Sequence, residues 1–204
     1  MLPPRERLIA AVVHLAGPQG REHVSAAAIA ARAGTTRDEF DRHFASAQDC
    51  RRAAFDSICD RFDCHLLPIY LRPDPWRLRM RAAAHAAVHF CRNHEEQVRF
   101  AIAERLRHRH LAQGERSLRL HLQEIASARL ETPAPAQAPT SAAEFAVGCF
   151  LELAVKCHAG GDFRQLEQSL PALLYSVTGA FFGPVAADEE LERLQRELPP
   201  DTPS

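Results

Sequence analysis

Helical periodicity runs through the whole sequence and constrains the fold more than any other feature. Apolar residues recur three and four positions apart in segment after segment, and no segment alternates apolar and polar residues between hairpin turns. Residues 5–16 are typical, because Leu8, Ile9, Val12 and Leu15 share one face of the predicted helix. The pattern therefore predicts an all-α protein.

Glycines, prolines and capping residues divide this pattern into segments. The predicted helices cover residues 5–16, 26–33, 37–44, 47–65, 76–93, 97–107, 111–130, 141–158 and 163–181, with a short tail helix over 187–198. Ser25, Thr36 and Asp162 precede helical runs and have side chains favoured at N-caps. Pro68 is expected in a link after the fourth helix, and Pro171 is expected to kink the ninth. Residues 131–140 contain three prolines and are expected to form a loop.

Composition excludes several classes of protein. The chain has 204 residues, of which 46% are hydrophobic and 25% charged, so it is not disordered as a whole. Its net charge of -1 excludes a strongly basic coat, and any nucleic-acid contact must be a local patch. No apolar run approaches the roughly 18 residues of a membrane span. The first residues lack the pattern of a signal peptide, so we expect a cytoplasmic protein with no membrane partner.

The sequence has few patterns that would supply catalytic or metal chemistry. It contains no hydrolase elbow, phosphate loop or dinucleotide fingerprint, so neither an enzyme nor a cofactor is predicted. The six cysteines form no CxxC pair and are expected to be reduced packing residues. His85 and His89 are four residues apart, and Cys91 and His94 follow closely. A metal-binding helical protein is therefore a weaker alternative, and no metal ligands are assigned.

The N-terminal segments have the layout of a helix-turn-helix module. Three short helices, with Gly34 in the tight turn between the second and third, are followed by a long helical remainder. We therefore predict a DNA-binding domain over residues 1–46 and a helical domain over residues 47–204.

Specific residues in this module resemble a known family. The stretch IAARAGTTR from Ile29 to Arg37, followed by Phe40, His43 and Phe44, resembles the signature of the TetR family of bacterial transcriptional regulators. The resemblance implies that the third helix enters the major groove of an operator in double-stranded DNA. It also implies a small-molecule effector pocket, and a homodimer formed by the last two long helices. In the implied function, the effector spreads the two heads and releases a repressor from its operator.

The resemblance also places candidate DNA-binding residues on this sequence. The base-reading positions correspond to Thr35, Thr36, Arg37 and Glu39, and Arg37 is the best candidate because a guanidinium can bind guanine bidentately. The other candidate DNA-binding residues are Ser25, Arg42 and His43, which suit contacts with parts of the DNA other than the bases.

Four positions depart from the family pattern, and three of them are acids on the third helix. Asp41 stands where the family usually has a tyrosine, Ala47 stands where a lysine is common, and Asp38 and Glu39 stand where small neutral residues are common. The helix dipole stabilises acids in the first turn of a helix. A carboxylate there can also accept a hydrogen bond from N4 of cytosine. Alternatively, the chain has kept a ligand-binding fold and lost tight DNA binding, because phosphate neutralisation supplies much of the affinity.

Two further residue sets complete the predicted sites. Helices that are apolar on more than one side supply the candidate effector-binding residues, which are Phe62, His65, Trp76, Met80, His89, Phe90, Phe100, Leu122 and Phe150. Apolar stripes near the C-terminus must find a partner, and a two-fold dimer is the simplest solution. The candidate dimer interface consists of Phe150, Leu153, Leu170, Leu174, Val177 and Phe181.

Overall fold

The computed structural model describes residues 2–17, 24–107 and 138–197. Within these ranges it contains ten α-helices and no strand, which confirms the all-α prediction. The helices are α1 (Pro4–Ala16), α2 (Ala26–Arg32), α3 (Arg37–His43), α4 (Ala47–Tyr70), α5 (Trp76–Asn93), α6 (Glu95–Arg107), α7 (Ala138–Gly160), α8 (Arg164–Gln168), α9 (Leu170–Phe182) and α10 (Pro184–Glu197). The helix predicted over 111–130 lies outside the described residues.

Three predicted boundaries were wrong. α4 continues through Pro68 to Tyr70 instead of ending at residue 65. A proline in the last turn removes only one hydrogen bond of the helix, and the buried side chain of Leu66 anchors this turn. α7 begins at Ala138, inside the segment expected to be a loop, and α10 begins at Pro184, before the predicted residue 187.

The single helix predicted over residues 163–181 is two helices. α8 ends at Gln168, and α9 begins at Leu170 with Pro171 in its first turn. Proline is favoured there because the amide N–H groups of a first turn have no partner within the helix. Pro171 therefore helps to start a helix and does not kink one.

The chain divides into two compact units, which we call the head unit and the body unit. The head unit comprises residues 1–64 and 93–114, and the body unit comprises residues 65–92 and 115–204. The three short helices share a hydrophobic core with the first turns of α4 and with Phe100 of α6. The compact unit that carries these helices is therefore larger than residues 1–46.

The predicted caps position the two helices of the turn in the head unit. The hydroxyl oxygen of Ser25 accepts from the backbone N–H of Ala28 at 3.1 Å, and that of Thr36 accepts from the N–H of Glu39 at 3.2 Å. Gly34 lies between the helices at a φ of 65°, a left-handed conformation that other residues rarely adopt. Both N-caps agree with the sequence prediction.

A buried ion pair joins α4 to α6 inside the head unit. Arg51 and Glu104 are only 3% and 1% exposed. Arg51 donates from Nε to Oε2 of Glu104 at 3.3 Å and from Nη2 to Oε1. Arg107 donates to the same carboxylate at 2.8 Å. The guanidinium of Arg51 also lies 5.7 Å from the centre of the Phe100 ring. A buried charge needs such partners to offset its loss of hydration.

In the body unit, α9 packs against α7 and α10, and ion pairs join α5 to α10. Arg77 contacts Glu189 at 2.6 Å, and Arg81 contacts the buried Glu190 at 2.8 Å. The carboxylate of Asp162 accepts from the backbone N–H of Arg164 at 2.8 Å, but the N-cap of α8 is Phe163, so the predicted cap at Asp162 was one residue too early. Among the described helices, none is long and apolar enough to cross a membrane.

Candidate nucleic-acid interface

α3 is attached to the head unit by one face and exposes the other. The ring of Phe40 is fully buried, and it lies 5.8 Å from the ring of Phe44, which is also buried. Thr36, Arg37, Asp38, Asp41, Arg42 and His43 are exposed, while Thr35 and Glu39 are half-buried. The predicted base-reading residues therefore lie together at the start of a short, anchored helix with an exposed polar face.

Arg37 is held by two neighbours on its own helix. Its Nε donates to both carboxylate oxygens of Asp41, each at 2.9 Å. Its guanidinium carbon lies 5.6 Å from the centre of the Phe40 ring, within the range of a cation–π contact. The hydrogen bond that Arg37 donates to Asp41, together with the charge of that carboxylate, raises the pKa of Arg37. The side chain is still 54% exposed, so it remains accessible.

Glu39 pairs with the two basic residues at the end of α3. Its Oε2 accepts from Nη1 of Arg42 at 2.5 Å, and its Oε1 lies 3.3 Å from Nε2 of His43. Both candidate phosphate-binding side chains thus contact an acid of the same helix. The positive charge that α3 presents is smaller than its basic residues alone suggest.

The structure adds one residue that the sequence analysis missed. The guanidinium carbon of Arg5, on α1, lies 5.5 Å from the centre of the Phe44 ring, which follows α3 directly. Arg5 is exposed and brings a cation next to the end of α3. Residue spacing could not predict this contact, because Arg5 and Phe44 are far apart in the sequence and meet only through packing.

The structure brings together three of the candidate effector-binding residues in the body unit. The His65 ring stacks nearly parallel on the His89 ring, with an interplanar angle of 9° and centroids 6.1 Å apart. The ring of Phe90 lies 5.6 Å from that of His65. His65 and His89 are exposed and Phe90 is buried. We call these three residues the aromatic cluster.

The other candidates for effector binding are dispersed. Phe62 and Phe100 belong to the head unit, where Phe100 is fully buried in the core. Met80 is buried and Phe150 half-buried, both in the body unit. Trp76 is the first residue of α5, and Leu122 lies outside the described residues.

The histidines and cysteines of α5 were considered as metal ligands in the sequence. Within residues 2–17, 24–107 and 138–197, no three His, Cys, Asp or Glu side chains are grouped so that they could hold a metal ion. Cys91 is 3% exposed, and burial raises the pKa of its thiol to about 12.

Three of the predicted dimer residues are buried in the core of the body unit. Leu170, Leu174 and Val177 are 5%, 2% and 5% exposed, so they form core contacts within one chain. Phe150, Leu153 and Phe181 are half-buried. The apolar stripe read from the sequence is therefore mainly the inward face of α9, because α7 and α10 cover it.

A groove of about 520 Å³ lies on the other side of the same helices, which we call the α7–α9 groove. Its lining residues are Phe145, Gly148, Cys149, Glu152, Leu153, Lys156, Ser169, Ala172, Leu173 and Ser176. Phe145 is 48% exposed, and Glu152 and Lys156 form an exposed ion pair at 3.8 Å. The groove combines an exposed aromatic ring with small and apolar neighbours.

Two solved structures share this fold. A transcriptional regulator from Rhodococcus sp. Rha1 has a TM-score of 0.65 and 21% sequence identity, over 85% of this chain and 95% of that one. A protein assigned as a transcriptional regulator in Pseudomonas aeruginosa PAO1 has a TM-score of 0.66 and 17% identity, over 88% of this chain and 94% of that one. No protein-family model and no curated protein matches the sequence.

Proposed function

We propose that this chain is a DNA-binding transcriptional regulator of the TetR type, which reads an operator with α3. The observation that carries the proposal is the presentation of α3, which Thr36 caps, Phe40 anchors and a polar exposed face completes. The similarity in fold to two proteins named as transcriptional regulators supports it. In this role residues 1–46 supply the DNA contacts and residues 47–204 supply effector binding and dimerisation.

In the proposed complex, Arg37 binds a guanine in the major groove, because its exposed guanidinium matches the O6 and N7 acceptors. Thr35 and Thr36 come directly before Arg37, and Glu39 lies two residues after it on α3. The phosphate contacts come from exposed residues around α3, namely Ser25, Arg42, His43 and the newly found Arg5.

The proposed effector site is the aromatic cluster of the body unit. Two exposed imidazole rings offer flat faces for a small molecule with a planar group, and the buried ring of Phe90 packs beside His65. Effector binding there would lower the affinity of the head unit for its operator, which makes the protein a repressor that a small molecule releases.

The proposed partner of the α7–α9 groove is a second copy of this chain. Phe145 is large, apolar and half exposed, and the groove beside it has a volume of about 520 Å³. In a two-fold dimer the same groove meets itself, so Glu152 of each copy can pair with Lys156 of the other. A dimer also supplies two copies of α3, as two half-sites about 34–36 Å apart require.

A second candidate function is a ligand-binding protein on the same fold that no longer binds DNA tightly. The ion pairs of α3 favour it, because Asp41 contacts Arg37 and Glu39 contacts Arg42. Paired cations neutralise phosphates less effectively than free ones.

Selection from a random library of DNA duplexes separates the two functions. The proposed regulator enriches one sequence with two related half-sites, and Arg37→Ala weakens binding to it by about 1–3 kcal/mol and relaxes one base position. Arg196→Ala is the matched control, because it removes another exposed arginine, on α10. A wild-type protein that enriches no sequence would contradict the proposal and leave the second candidate.

A further inference from the structure

The contact between Arg37 and Asp41 leaves a defined part of the guanidinium open. Asp41 occupies only Nε, through both of its carboxylate oxygens at 2.9 Å. Asp41 makes no hydrogen bond with Nη1 or Nη2, and the end of the guanidinium that carries these two nitrogens can meet two acceptors side by side. The carboxylate therefore fixes the side chain without occupying the atoms that a bidentate contact needs.

Phe40 restrains the same group from another direction. The guanidinium carbon lies 5.6 Å from the centre of the Phe40 ring, and that ring is fully buried in the head core. A long side chain loses rotamer freedom when it binds. Arg37 is already restricted by an ion pair and by a rigid ring, so less freedom remains to be lost when it meets a base.

The acid two residues earlier is arranged differently. The two oxygens of Glu39 contact different residues, Arg42 and His43, and neither contact involves Arg37. Asp38 is exposed on the same helix, and the ion pair of Arg37 is with Asp41. Of the three acids on α3, Asp41 is the one that the structure ties to the candidate base-reading side chain.

We propose that Asp41 is a positioning residue that holds Arg37 ready to read a guanine, so that it increases base discrimination although its charge opposes DNA. This inference rests on the proposed function. It explains why Asp41 stands where the TetR family, which the sequence resembles, usually has a phosphate-binding tyrosine. Asp41 repels every duplex equally through its charge, but it improves only the contact that Arg37 makes with guanine.

The test is a comparison of Asp41→Asn with the matched control Asp38→Asn, which removes the same charge from the same helix. The binding of each full-length variant is measured on the selected duplex, on the same duplex with adenine in place of the contacted guanine, and on unrelated DNA. Circular dichroism verifies that each variant is folded, and both positions are exposed.

Opposite changes in affinity and discrimination are the expected result. Wild-type protein is expected to prefer guanine by roughly ten- to a hundredfold. Asp41→Asn should bind unrelated DNA more tightly and yet lose at least about fivefold of that preference, whereas Asp38→Asn should bind all duplexes more tightly with the preference unchanged. Equal behaviour of the two variants would overturn the inference while the proposed function stands. A wild-type protein without any sequence preference would overturn both.

Discussion

At the scale of single residues, burial divides the cysteines into inert and accessible thiols. Cys50 is fully buried and Cys91 is 3% exposed, and burial raises the pKa of both thiols to about 12. Cys64 is exposed on α4. Because the thiolate is the nucleophile, on the order of one in ten thousand molecules has a reactive Cys50 or Cys91 at pH 8. We expect iodoacetamide to alkylate Cys64 first and to leave these two unmodified in the folded protein.

Mass spectrometry of peptides from the treated protein measures this order directly. The same reaction in strong denaturant is the control, and there all six cysteines of the chain should react. Alkylation of Cys91 in the folded protein at the rate of Cys64 would mean that the packing around α5 is wrong.

Residue roles were predictable from the sequence where they depend on near neighbours. The caps at Ser25 and Thr36 follow from the side chain and from the backbone N–H three residues on, and both were predicted correctly. The pairing of Arg37 with Asp41 was also within reach, since residues four apart share a helix face. The contact of Arg5 with Phe44 was not, because it depends on how α1 packs.

At the scale of elements, the buried ion pair between α4 and α6 leads to a stability prediction. Glu104→Ala removes the carboxylate that faces Arg51 and leaves that arginine's charge buried. The free energy of unfolding should fall by about 3–5 kcal/mol. Urea denaturation followed by circular dichroism measures the loss.

Two further variants distinguish this effect from general damage to α6. Glu96→Ala removes an acid of the same helix whose side chain is 51% exposed and pairs only with the exposed His14, so the change should stay below about 1 kcal/mol. The double variant Arg51→Met with Glu104→Leu removes both charges and should recover most of the stability lost in Glu104→Ala. A Glu104→Ala protein as stable as Glu96→Ala would contradict the buried pair.

The presence of each helix was easier to predict than the residues at which it begins and ends. Every helix in the described part of the chain lies within or beside a predicted one, since the 3.6-residue pattern repeats over many residues. The ends depended on tertiary packing that the pattern does not contain. α4 continues past Pro68 to Tyr70, and the predicted ninth helix breaks at Ser169, where Pro171 takes a position in the first turn of α9.

At the scale of the whole molecule, the proposed dimer through the α7–α9 groove predicts which substitutions separate the two copies. Phe145→Glu and Ala172→Glu place charge on exposed positions of the groove, so each variant should stay folded and become a monomer of 22.7 kDa at micromolar concentration. Val185→Glu is the control, because Val185 is 71% exposed on α10 and does not line the groove. Sedimentation equilibrium measures the masses.

Other results of this measurement would change the interpretation. Wild-type protein that sediments at 22.7 kDa would contradict the dimer, and with it a two-half-site operator. Leu174 and Val177 belong to the dimer interface predicted from the sequence, but both side chains are buried within one copy. Leu174→Asp and Val177→Asp are therefore expected to unfold the chain and not simply to separate two copies. The sequence located the apolar stripe of α9 but could not show which neighbour covers it.

Sequence-specific binding of DNA by the head unit is the central claim, and the salt dependence of that binding tests it most directly. The dissociation constant for the best selected duplex is measured between about 50 and 200 mM salt, with unrelated DNA alongside. In the proposed dimer, Arg5 and Arg42 of each copy make four phosphate contacts at about -0.9 each, so log K is expected to fall against log salt with a slope of about -3 to -4. The selected duplex should bind at least about a thousandfold more tightly than unrelated DNA. Equal affinity for the two duplexes would contradict the claim, and so would a slope near zero.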